Sequence, residues 1–144
     1  MSVHVLQAEE RHLAGLHALL IEFSDSARKL DVPLLAERLR NEATCVLVAE
    51  QDDGDAVGTA TLCFVTTLTQ GVVAHVEDVV VTSASRGQGV GRLLMAAVRA
   101  EAERRGAAYV DLTSRPARVA ANRLYASIGY RLRETNAYRL DLRS

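Results

Sequence analysis

The sequence predicts an α/β fold of the mixed α+β kind: a mixed, mostly antiparallel sheet of about seven strands with helices on both faces, in the order β-α-α-β-β-β-α-β-α-β-β. Three observations lead there. Runs rich in Val and Thr, separated by turn residues, fill the stretch from Cys45 to Thr82. Segments with apolar residues at helical spacing lie before and after it. A Val79-Val80-Val81 strand then runs through a glycine-rich loop into a long helical pattern. At 144 residues and 49% hydrophobic content, one domain over residues 1–144 suffices, since a chain of this size hides roughly 68–70% of its unfolded surface without disulfides or a structural metal.

The elements follow in order. Val3, Val5 and Leu6 predict a short opening strand, and Leu13, Leu16, Leu20 and Phe23 predict an amphipathic helix. Asp31-Val32-Pro33 breaks it, and Leu34, Leu35 and Leu39 mark a second short helix whose charged side, with Arg38 and Arg40, is expected to face solvent. Cys45 to Glu50 is strand-like, and the Asp-Gly turn at 51–55 joins it to a strand over Ala56 to Leu68. Thr69-Gln70-Gly71 turns the chain into a strand over Val72 to Thr82. From Gly91 the period becomes helical, with Leu94, Ala97 and Val98 on one side and an end near Gly106. Tyr109 to Thr113 is a further strand. Pro116 is expected to open the next helix, with Ala121, Leu124, Tyr125 and Ile128 on one stripe and Gly129 as the stop. Tyr130 to Arg133 and Ala137 to Leu142 are the last two strands.

Composition excludes several classes. The longest apolar run, Leu93 to Val98, is far short of the about 20 residues a membrane helix requires, and Met1 to Glu10 lacks the pattern of an export signal, so a cytoplasmic protein is expected. Cys45 and Cys63 lie in separate strands without a CxxC or Cys/His cluster, which suits reduced structural thiols and no metal site. His4, His12 and His17 have no partners at ligand spacing and are expected at the surface. The net charge of −1 conceals an asymmetry: residues 1–83 carry 5 basic against 13 acidic side chains, and residues 84–144 carry 12 against 5. A protein holding a polyanion with one half and a cation with the other would show this split. A net negative chain that is only 4% aromatic does not suit nucleic acid. A homodimer is compatible with the sequence.

The most specific feature is Arg86-Gly87-Gln88-Gly89-Val90-Gly91, between strand and helix. Glycines admit positive φ and close approach, so successive N–H groups can converge on an anion beside the positive helix start. Arg86 and Arg92 bracket the loop with charge suited to phosphate. A dinucleotide fingerprint starting at Gly87 would need glycine where Arg92 stands, and a Walker loop would need Gly-Lys-Ser/Thr, which is absent. Ser114 has no flanking nucleophile-elbow glycines, and a helix-capping role is expected for it.

These residues resemble the GNAT superfamily of acyl-CoA-dependent N-acetyltransferases. The Arg/Gln-x-x-Gly-x-Gly/Ala signature is matched at Arg86, Gly89 and Gly91, and a Leu-Tyr-x-x-x-Gly-Phe/Tyr segment at Leu124 to Tyr130. The resemblance implies that the backbone of Val79, Val80 and Val81 pairs with the pantetheine arm of acetyl-CoA. It implies that the amides from Gly87 through Gln88, Gly89 and Val90 to Gly91 hold its pyrophosphate, and that the Tyr125 hydroxyl lies near the thioester sulfur. The family often has Asn seven residues before that tyrosine. Here Arg118 stands there and Asn122 lies three before it, so either is a candidate cofactor contact.

Acetylation of an amine needs a base, because an alkyl ammonium has a pKa of about 10.4. Glu77 is the first candidate, placed by strand alternation on a face with His75 and Val79, and Asp78 is the second, expected on the opposite face. The pair also resembles the Glu-Asp run of amino-sugar members. Transfer of acetyl from acetyl-CoA to a small-molecule or peptide amine in a ternary complex is the expected function. The charge split favours a small cationic acceptor. The alternatives are an acyl-CoA-binding sensor without turnover and an amino-sugar N-acetyltransferase.

Overall fold

The computed structural model describes residues 2–143, and the chain divides into two compact units, one ending at Thr113 and the next beginning at Ser114. The first unit contains a five-stranded sheet in sequential order, β1 (Val3–Gln7), β2 (Thr44–Gln51), β3 (Ala56–Thr67), β4 (Gly71–Val81) and β5 (Val110–Leu112). The first four strands are antiparallel neighbours, whereas β5 joins β4 in parallel. Two helices, α1 (Leu13–Phe23) and α2 (Val32–Leu39), precede β2, and α3 (Val90–Arg104) connects β4 to β5. No helix of the described residues is long and apolar enough to cross a membrane.

Local chemistry accounts for the boundaries. The Asp31 carboxylate accepts the Leu34 amide at 2.8 Å and so caps α2, whose Pro33 sits in the first turn where its missing N–H costs nothing. Gly54, at φ 91°, closes the β2–β3 turn, and the Gln51 amide donates to the Asp55 carbonyl at 2.9 Å. Leu13, Leu16 and Leu35 pack on Val48 from one face of the sheet. Neighbouring Ala49 points the other way and pairs with Gly58, where an added Cβ would stand 3.0 Å from Leu94 and 3.1 Å from the Val80 carbonyl. Glycine at 58 is what lets α3 lie this close to β3. Phe23 is exposed, and Leu19 takes the buried position on α1 instead.

Of the three histidines expected at the surface, His4 is exposed and His17 half-buried, and His12 differs from expectation. His12 is only 3% exposed. The Glu9 amide donates to its Nδ1 at 2.9 Å, so the ring proton sits on Nε2, which donates to Glu50 at 2.9 Å. Arg11 closes on the same carboxylate with two bonds of 2.9 and 3.1 Å, and His4 adds a third side at 3.0 Å. A buried carboxylate is tolerable only with such partners. Arg11 first, and His12 next, hold the Glu50 pKa down at about 2 from its ordinary 4.5. The sign follows from linkage: a depressed carboxylate stabilises the fold fully above 4.5, and that stability is lost as pH falls toward 2. Acid unfolding followed by circular dichroism is therefore expected to lose this part of its pH dependence in Glu50→Gln. An unchanged acid limb would show that Glu50 does not couple folding to pH.

The second unit, Ser114 onward, holds α4 (Val119–Ser127). The expected start at Pro116 is corrected to Val119: residues 116 and 117 form a turn closed by the Arg118 amide on the Arg115 carbonyl. Ser114 therefore caps nothing, and its Oγ is buried without a hydrogen-bond partner among the described residues. The two final strands are also corrected, so the sheet has five strands and not about seven. Leu132, Tyr138, Leu140 and Leu142 alternate as a strand requires but are exposed, and the described residues of 131–143 form no ladder. Alternation is a side-chain pattern, whereas a strand exists only where a neighbour takes up its backbone hydrogen bonds.

Candidate active site

The site begins with a defect in β4. Thr61 pairs with Glu77 and Thr59 with Val80, so the single residue Ala60 faces both Asp78 and Val79. This is a β-bulge, and Asp78 is the one non-glycine among the described residues with positive φ, at 52°. The bulge corrects the expected divergence of the two acids. Glu77 shares the sheet face of Thr61, and the bulge turns Asp78 onto the cavity that Thr59 and Thr61 also line. Cys63, which pairs with His75 on that face, registers both: burial first, then Glu77 and Asp78, push its thiol pKa up. Cys63 and the buried Cys45 are both free, and the register places them on opposite faces.

Beyond the bulge, β4 has an open edge. Its ladder with β5 covers only Ala74 to Val76, so Val80 and Val81 are paired with β3 alone and Val79 lies in the bulge. Arg86 folds back, its Nε donating to the Val81 carbonyl at 3.4 Å. The loop from Arg86 to Arg92 then enters α3 with Gly87 at φ 78° and Gly89 at φ 81°, the latter as N-cap. A Cβ at either glycine would meet nothing within 4 Å, but the left-handed backbone itself excludes most other residues. The Gln88 side chain ties the loop to the Ala84 carbonyl at 3.3 Å. By helix geometry the amides of Val90 and Gly91 find no acceptor inside α3. Open edge, left-handed glycines and helix start together fit a strand-like arm ending in a pyrophosphate.

A cavity of about 240 Å³ lies between α1, α2 and the sheet. Leu16, Leu20, Leu35 and Leu39 wall it, and its two ionisable side chains are Asp78 and Arg38. Asp78 keeps a path to solvent, yet the protein packed around its carboxyl pushes the pKa above the ordinary value, opposed by the Arg38 guanidinium. Arg38 is exposed, as expected for the charged side of α2, and it also lines the cavity, three residues after buried Leu35. Of the acids on the first two helices, Asp31 is spent on capping and Asp25 on Arg28 at 3.2 Å.

The remaining predicted residues belong to the second unit. Tyr125 is buried on α4 with Tyr130 against it, ring centroids 5.9 Å apart. Burial pushes its phenol pKa up, with Arg118 pulling the other way. Arg118 is the N-cap residue of α4. The Asn122 side-chain amide donates to the Arg115 carbonyl at 3.0 Å and so holds the entry loop of the helix.

A mixed sheet that opens beside a bulged strand, with a left-handed glycine loop leading into a helix, defines a class of acyl-CoA-dependent transferase. Residues 13–130 match the Acetyltransferase (GNAT) family, and the chain belongs to it; it is an acetyl-CoA-dependent N-acetyltransferase by family. No curated protein sequence matches the chain. An acetyltransferase of Trypanosoma brucei has a crystal structure 28% identical to this chain, covering 98% of it and 100% of its own length with a TM-score of 0.82. The fold is also that of glucosamine-6-phosphate N-acetyltransferase from Arabidopsis thaliana, at 19% identity, coverage of 97% and 99%, and TM-score 0.79. Ribosomal-protein-alanine N-acetyltransferase from Brucella melitensis shares it at 22% identity, coverage of 98% and 99%, and TM-score 0.80.

Proposed function

We propose that the protein transfers an acetyl group from acetyl-CoA to a small primary amine by direct attack in a ternary complex, the reacting end of the acceptor arriving as an ammonium cation. The observation that carries this reading is Asp78, a carboxyl of raised pKa turned by the bulge into a cavity at the point where β4 becomes open-edged. Acetyl-CoA supplies the acyl carbon as a thioester. Val79, Val80 and Val81 offer backbone groups to an extended arm, while Gly87, Gln88, Gly89, Val90 and Gly91 offer amides to phosphate. Arg86 and Arg92 add charge at the same loop. Asn122 shapes the loop before α4 through Arg115.

Asp78 takes the ammonium proton, with Glu77 beside it to favour a cation at the cavity mouth. By resemblance to the family's Leu-Tyr-x-x-x-Gly segment, Tyr125 is the residue that would hold a proton for the departing sulfur. The competing reading, a sensor that binds acyl-CoA without turnover, has no use for a base in the cavity. Arg86→Glu is expected to weaken acetyl-CoA binding by at least about 1.5–3 kcal/mol, the range for a charge-assisted hydrogen bond, without unfolding the chain. Calorimetry checks it, and unchanged affinity would remove Arg86 from the site. Incubation with acetyl-CoA and a panel of amines, followed by thiol release, tests transfer itself: binding without release on any amine supports the sensor.

A further inference from the structure

We infer that the acceptor is a small zwitterion, an amine that also carries a carboxylate on a compact apolar body, held between Asp78 and Arg38. This rests on the transfer reading above and names the substrate class of the same site.

The cavity holds two ionisable side chains of opposite sign, one on β4 and one on α2, and neither makes an ion pair within 4.0 Å among the described residues. An acid and a guanidinium that line one cavity, both open to solvent and not joined in an ion pair, suit a ligand that carries an ammonium and a carboxylate. The planar fork of arginine fits a carboxylate with two hydrogen bonds. Leu16, Leu20, Leu30, Leu35 and Leu39 line much of the cavity, which suits a hydrocarbon body, while Asn41, Thr44, Thr59 and Thr61 supply its neutral polar groups. A volume of about 240 Å³ restricts the ligand to a small molecule. A diamine would bring its second ammonium against Arg38 or the leucines. The acidic charge of residues 1–83 still favours approach of the ammonium end.

The reaction balances without another reagent. Asp78 accepts one proton from the ammonium, the free nitrogen forms the new C–N bond to the acetyl carbon, and the C–S bond breaks. The nitrogen sheds its second proton as the amide forms, the sulfur departs as the CoA thiol with a proton that this one replaces, and the products are an N-acetyl carboxylate, CoA and the proton held by Asp78.

The test compares leucine with leucinamide, isopentylamine, putrescine and glucosamine 6-phosphate as acceptors, kcat/KM being read from thiol release. Leucine is expected to exceed leucinamide and isopentylamine at least about tenfold, as loss of a charged hydrogen bond requires. In Arg38→Gln the leucine-to-leucinamide ratio is expected to fall to about one, and Arg38→Glu is expected to reverse the preference toward putrescine. Acetyl-CoA affinity measured by calorimetry reports that each variant is folded. Equal kcat/KM for acid, amide and amine, or a diamine or sugar phosphate as the best acceptor, would overturn the inference while leaving transfer intact. Acetyl-CoA binding with no thiol release on any acceptor would instead overturn the transfer reading itself.

Discussion

Replacing Tyr125 by Phe is expected to lower kcat roughly 10²–10⁴-fold, the range that positioned proton transfer supplies. The substitution keeps the ring, its burial and its contact with Tyr130, and deletes one O–H. A melting temperature near wild type is therefore expected together with the catalytic loss. Burial raises the phenol pKa above its ordinary value of 10, so the hydroxyl stays protonated at neutral pH and can serve as a donor. KM for acetyl-CoA should change much less than kcat, because packing is retained. Activity within a factor of two of wild type would make Tyr125 a core residue and nothing more.

Asp78→Asn is expected to reduce kcat by a comparable factor of roughly 10²–10⁴, and to do so without a cost in stability. Position 78 has φ 52°, which Asn tolerates nearly as well as Asp, so the exchange isolates the charge from the backbone conformation. The pKa of Asp78 is raised in the fold, chiefly by burial. A raised carboxylate binds protons more tightly in the native state, so its ionisation opposes folding as pH climbs from the unfolded value through the folded one. Above the folded value that opposition is fully present, and there the Asn variant is expected to melt at or above the wild-type temperature while being far less active. Glu77→Gln, by contrast, is expected to retain most of kcat. Thermal melts and steady-state kinetics on the two variants decide between the acids, and the reverse pattern would return the base to Glu77.

Much of this was legible in the chain itself because its causes are local. The element order from Val3 to Leu112 follows from apolar period and turn chemistry, and the structure holds it within a residue or two at most boundaries. Gly87 and Gly89 announce their left-handed conformations because little else adopts them readily. The spacing of Arg86, Gly89 and Gly91, with the segment around Tyr125, pointed to the family that residues 13–130 match.

Other features depend on partners distant in sequence. The bulge at Asp78 is a mismatch between β3 and β4, invisible to an alternation rule that assumes each strand counts alone. His12 is buried because Glu50, 38 residues away, receives its proton. Arg38 reaches the cavity because α2 packs across β2, and the terminal alternation from Tyr138 to Leu142 yields no strand because no ladder neighbour takes it up. The sequence by itself determined which segments could form strands, helices and an anion-binding loop, since those choices rest on φ, period and side-chain type over a few residues. Only the tertiary structure decided which acid enters the cavity, which arginine faces it and which apolar strips find a partner, since each depends on the register of chains far apart in sequence.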